Sequence, residues 1–148
     1  MNIIMANLKM NVLYFDDEPY ITRALARSLE SNNLNVTLVS EIEDVFKELN
    51  TGKYNIIMLD IMAPIPDINN KYFSPQEIDE MIEYQGINVG VILAKRIWKN
   101  YNKDIPILFF SAKSSPIVEY PELKKYKCDF LSKPQLASTV LEKLKELF

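Results

Sequence analysis

Short apolar runs that each stop at a polar residue constrain this chain more tightly than any other feature. Val12-Leu13-Tyr14-Phe15 stops at Asp16-Asp17-Glu18, and Ile56-Ile57-Met58-Leu59 stops at Asp60. The run from Ile105 to Phe110 stops at Ser111, and Cys128 to Leu131 leads into Ser132-Lys133-Pro134. Runs this short, and apolar on both faces, read as buried strands, with Val36 to Val39 as one more. Helical spacing fills the intervals. Leu25 and Leu29 share a face, as do Val45, Phe46 and Leu49, then Val91, Ala94, Ile97, Trp98 and Tyr101, and finally Leu136, Val140, Leu144 and Leu147. Ser40 and Glu43 have the spacing of a capping box. Strands alternating with helices predict an α/β fold, a doubly wound parallel sheet covered by helices on both faces.

Such sheets place their sites at the carboxyl ends of the strands. Asp16 and Asp17 follow the first strand, Asp60 the third, Ser111 the fourth and Lys133 the fifth, so all five are predicted to converge on one edge. Carboxylates gathered this closely repel one another unless a cation intervenes. An oxygen-only donor set suits Mg²⁺, which bonds a few carboxylates and leaves positions for a phosphoryl oxygen. A carboxylate can also accept a phosphoryl group covalently, and a nearby lysine and hydroxyl would hold its oxygens. Taken singly, each aspartate reads as a turn residue, Ser111 as a cap and Lys133 as a solvated charge. Their joint placement is what points to a site.

Composition removes the competing chemistries. The 148 residues suit one domain, here residues 1–148, and the chain contains no histidine. Histidine-dependent triads, zinc sites and acid–base catalysis are therefore excluded within it. The single cysteine, Cys128, reads as a reduced thiol without a partner. A net charge of −3 with no basic run argues against direct nucleic-acid binding. No run approaches the roughly 20 apolar residues that span a bilayer, and no signal peptide is evident, so a cytoplasmic protein is expected.

VLYFDDEP, IIMLDIMAP, ILFFSAK and DFLSKP resemble, in order, the four motif blocks of bacterial response-regulator receiver domains. The resemblance runs from Asn11 to near the end of the chain. It implies a flavodoxin-like five-stranded parallel sheet of order 2-1-3-4-5 and a phosphoacceptor at Asp60. Further implied are a Mg²⁺ site at Asp16, Asp17, Asp60 and the Met62 backbone carbonyl, with Ser111 and Lys133 contacting the phosphoryl group. Phe130 takes the aromatic switch position. A histidine kinase or phosphotransfer protein would donate the phosphoryl group, and a downstream effector protein would read it. Helix four, strand five and the last helix form the family's output face, where a homodimer would also assemble. On this reading the chain is a signalling receiver in a phosphorelay, catalysing only its own phosphorylation and dephosphorylation. Two alternatives are a receiver-like scaffold that is never phosphorylated and a Mg²⁺-dependent phosphatase working through an aspartyl-phosphate. Against the phosphatase, Met62 occupies the position where such enzymes carry a second aspartate.

Two regions depart from the family pattern. The glycine that opens the family's third helix corresponds to Gly90, which leaves residues 65–88 as an insertion between the third strand and that helix. Ser74-Pro75-Gln76-Glu77 is a capping box with proline at the first helical position. It predicts a helix to Tyr84 with Ile78, Met81 and Ile82 facing the protein, read here as a small packed helix decorating the surface rather than a lid or partner-docking element. Pro116 and Pro121 also interrupt helix four, which is predicted to start near Pro121. Residues 1–10 are an N-terminal extension. Little sequence follows the last helix, so a stand-alone receiver is expected, although a piece of a larger protein would read the same way.

Overall fold

The computed structural model describes residues 9–148. The expected N-terminal extension therefore lies almost wholly outside the described residues. The strands are β1 (Met10–Phe15), β2 (Leu34–Val39), β3 (Ile56–Leu59), β4 (Ile107–Ser111) and β5 (Cys128–Ser132). They form one parallel sheet of order β2-β1-β3-β4-β5, as the resemblance implied. The helices are α1 (Pro19–Glu30), α2 (Ile42–Leu49), α3 (Pro75–Glu83), α4 (Val89–Asn100), α5 (Pro116–Glu119) and α6 (Ala137–Leu147).

Alternation along the strands divides the core in two. Leu13, Phe15, Ile57, Leu59, Ile107 and Phe109 face one way, against Val45 and Phe46 of α2 and Ile97 and Trp98 of α4. Val12, Tyr14, Ile56, Met58, Leu108 and Phe110 face the other way, against Leu29 of α1 and Val140 and Leu144 of α6. Every residue of β3 and β4 is buried, as expected of central parallel strands covered on both faces. Cys128 sits at the edge of the first layer, and burial pushes its thiol up to about 11. Its alkylation at neutral pH is therefore expected to run one to two orders of magnitude, roughly, behind that of an unstructured peptide thiol. Following iodoacetamide labelling by mass checks this.

The insertion forms the small packed helix expected of it, with Phe73, Ile78 and Met81 joining the first core layer. Ser74 and Glu77 form the reciprocal capping box that opens α3. Glu77 also pairs with Arg96 of α4, which fixes how α3 lies. Ile78 and Met81 are buried, but Ile82 is 54% exposed, which corrects the expected inward face. At about 100° per residue, Glu77, Ile78 and Met81 share an arc that Ile82 lies roughly 40° beyond. Tyr72 stacks on Phe46 at 4.4 Å between centroids, and Phe73 meets the same ring edge-on at 5.8 Å.

Two local expectations fail. Helix α2 starts at Ile42 with Glu41 as its cap, so Glu43 is the second helical residue and the Ser40–Glu43 box does not form. The region of helix four is not one element starting near Pro121. It is α5, opened by Ser115 and Pro116, followed by a 3₁₀ turn over Pro121–Lys125. Pro121 supplies no N–H, and Tyr120 before it is driven out of helical geometry, so the two turns stay separate.

Candidate functional site

Strand register assembles the site. Phe15 of β1 pairs with Val39 on one side and Leu59 on the other, so Asp16 and Asp60 leave the sheet side by side. The Asp16 and Asp60 N–H groups continue the ladder, donating to the Val39 carbonyl at 3.1 Å and the Phe15 carbonyl at 3.0 Å. Ser111 pairs with Ser132, and the Lys133 N–H donates to the Ser111 carbonyl at 2.9 Å. The lysine thereby arrives beside the serine. The Lys133–Pro134 peptide is cis.

The five expected side chains meet. Ser111 Oγ donates to Asp60 Oδ1 at 2.7 Å, and Lys133 Nζ donates to Asp60 Oδ2 at 3.1 Å and also to Asp16 Oδ2. One carboxylate oxygen each from Asp16, Asp17 and Asp60 lies within 4.8 Å of the others. The Met62 backbone N–H donates to Asp60 Oδ1 at 3.3 Å, and Met62 itself sits on the wall of the cleft. Phe130 is half-buried on β5, opposite Phe109 and at some remove from this cluster.

Electrostatics show what the cluster lacks. Asp16 is fully buried, and that burial holds its carboxyl above the ordinary range despite hydrogen bonds from Lys133 and the Glu18 backbone. Asp17 is also raised, first by burial and then by the neighbouring Asp60 and Glu18 charges. Burial would lower Lys133, but the Asp16 and Asp60 carboxylates outweigh it and hold the ammonium above its usual value. One ammonium faces three carboxylates, and a hard divalent cation would neutralise the remainder. The donors are all oxygens, so the set fits Mg²⁺.

A cleft of about 550 Å³ opens over Asp17, Asp60, Ser111 and Lys133. Its outer wall includes Gln85, Gly86 and Ile87, which the sequence reading assigned only to the insertion. A helix ending at Tyr84 was legible, but not the cleft that the turn after it faces. Between residues 64–73 and Ser40–Glu43 lies a neighbouring cavity of about 670 Å³, which shares only Asp17 with the polar cluster.

A five-stranded sheet in this order is the fold of solved response-regulator receiver domains. The chain superposes on a Francisella response-regulator receiver domain with a TM-score of 0.68, at 22% identity over 94% of this chain and 96% of that one. For TrrA of Thermotoga maritima, solved as its Mg²⁺–BeF complex, the TM-score is 0.67, with 23% identity over 94% and 99%. For the chemotaxis protein CheY4 of Vibrio cholerae it is 0.69, with 17% identity over 95% and 100%. No family model matches the chain. In sequence it is similar to the swarming motility regulation protein RssB of Serratia marcescens, 24% identical over 136 residues. It is likewise similar to the transcriptional regulatory protein CssR of Bacillus subtilis, 25% identical over 140 residues. These alignments cover 92% and 95% of this chain and 52% of each relative, so the chain spans about half their length.

Proposed function

We propose that this chain is a phosphoacceptor receiver of a two-component phosphorelay, with Asp60 as the acceptor. The observation that carries the reading is Asp60 itself, held at its two oxygens by a hydroxyl and an ammonium and flanked by two further carboxylates. An Asp60 oxygen attacks the donor's phosphorus as the bond from phosphorus to the donor breaks. Lys133 and Ser111 then turn from Asp60 to the transferred phosphoryl oxygens, where their protons offset its charge. Asp16, Asp17, Asp60 and the Met62 carbonyl would hold Mg²⁺, which supplies charge neutralisation between carboxylates and phosphoryl group.

A histidine kinase or phosphotransfer protein serves as donor, and an effector protein reads the result in the cytoplasm. Residues 11–148 act as one receiver unit. Movement of Ser111 toward the phosphoryl group frees space that Phe130 can fill, which couples the site to β5. Output through α5, β5 and α6, including homodimer formation, belongs to the same proposal. Among the described residues, no helix is long and apolar enough to cross a membrane.

A phosphate balance tests the reading. With Mg²⁺ and acetyl phosphate, the protein should take up one phosphoryl group per chain and release it slowly. It should show no sustained release of phosphate from a simple ester such as p-nitrophenyl phosphate. Many turnovers on the ester would make it a phosphatase. No uptake at all from the acyl phosphate would make it a scaffold.

A further inference from the structure

The geometry points to Gln85 as a positioning residue for hydrolysis of the phosphorylated aspartate, its carboxamide orienting the attacking water; this rests on the receiver reading above. Helix α3 ends in a Schellman motif. The Gly86 N–H donates to the Met81 carbonyl at 2.9 Å and the Gln85 N–H to the Ile82 carbonyl at 3.0 Å. Glycine is the residue such a motif favours at the position Gln85 occupies, because the backbone there is left-handed. Gln85 adopts that conformation, with φ of 54°, and Gly86 follows at 80°. A long side chain therefore stands where helix termination alone would select none, and backbone strain of this kind often accompanies function.

Gln85 is exposed and lines the cleft that holds Asp60, Ser111 and Lys133. The turn that carries it is held from both sides. The Ala63 N–H donates to the Gly86 carbonyl at 3.3 Å, and a Cβ on Gly86 would lie 3.0 Å from the Ala63 carbonyl oxygen. Further along, the Gly90 N–H donates to the Ile61 carbonyl at 2.8 Å. The turn is thus clamped to the segment that follows the phosphoacceptor. Ser111 and Lys133 are engaged with Asp60, whereas Gln85 brings to the same cleft a neutral group with both donor and acceptor atoms.

In the hydrolysis, a water oxygen attacks phosphorus as the bond from phosphorus to the Asp60 oxygen breaks. The carboxylate leaves with the electron pair, and the water proton goes to the phosphate product. The carboxamide gains no proton and contributes by orientation, the part a glutamine can play in phosphoryl transfer to water.

The full chain, loaded from acetyl phosphate with Mg²⁺ and then freed of donor, tests this by intact mass over time. Gln85→Gly should lengthen the phosphoryl lifetime roughly tenfold, equivalent to about 1.4 kcal/mol of barrier. Its melting temperature should hold or rise, because glycine relaxes the left-handed residue. Gln85→Asn keeps the carboxamide and tolerates the backbone, so it should restore most of the parental rate. An unchanged or shortened lifetime in Gln85→Gly overturns the assignment. So does an equally long lifetime in Gln85→Asn, which would trace the effect to backbone shape. A parent chain that takes no phosphoryl group would overturn the receiver reading instead.

Discussion

Gly90→Ala is expected to cost about 3 kcal/mol or more and to weaken phosphorylation at the same time. Alanine in the first turn of a helix ordinarily stabilises by up to about 1 kcal/mol over glycine. Here the added methyl would meet the Asp60 carbonyl oxygen at 2.0 Å and the Ile61 Cα at 2.7 Å, both backbone atoms. Neither can swing aside as a side-chain tip would. Either α4 or the segment carrying Asp60 must shift, and overpacking of this kind typically costs 1–3 kcal/mol, occasionally more. A fall in melting temperature of about 6–12 °C would match 3 kcal/mol in a protein of this size. Calorimetry checks the first part, and phosphate uptake on the folded fraction checks the second.

Lys133→Met should destabilise the metal-free protein by about 3 kcal/mol, near the lower end of what breaking a buried pair costs, since the lysine is partly exposed. Methionine fills similar space but leaves Asp16, with no exposure, and Asp60 without their ammonium. The pH dependence follows from the raised folded-state value of Lys133, in which the two carboxylates outweigh burial. A lysine held above its unfolded value contributes stability that is complete below about 10.5 and disappears as the pH rises through the higher folded value. The gap between parent and variant should therefore persist through neutral pH, closing in strong alkali as Lys133 loses its proton and in acid as its carboxylate partners gain theirs. Adding Mg²⁺ should narrow it, because a cation binding the folded state supplies the missing charge. Chemical denaturation across pH, with and without Mg²⁺, measures both effects.

What the sequence made legible was what depends on local pattern plus one topological rule. Apolar runs marked β1, β3, β4 and β5, and the carboxyl-end rule alone predicts that Asp16, Asp17, Asp60, Ser111 and Lys133 converge. Gly90 could be picked out as a helix start, but not its approach to Asp60, because a glycine shows no sign of what it touches. Ile82 failed because helical spacing defines an apolar arc without saying which part docks. The Glu77–Arg96 pair decided that, across 19 residues of sequence. The Ser40–Glu43 box failed because moving a helix start by one residue destroys its reciprocal bonds. The position of Gln85 on the cleft over Asp60 depends on how α3 packs, which no local pattern encodes.

The most direct test of the central claim is the mass of the intact protein after incubation with Mg²⁺ and acetyl phosphate, compared with that of Asp60→Asn. Asparagine keeps the shape of Asp60 and one acceptor oxygen for Ser111 but removes the nucleophilic carboxylate and the acceptor facing Lys133, so the fold and the Ser111 contact should survive. One added phosphoryl group on the parent, absent from the variant, is the result this account predicts. An equal label on Asp60→Asn, or none on the parent while Mg²⁺ binds, would contradict it.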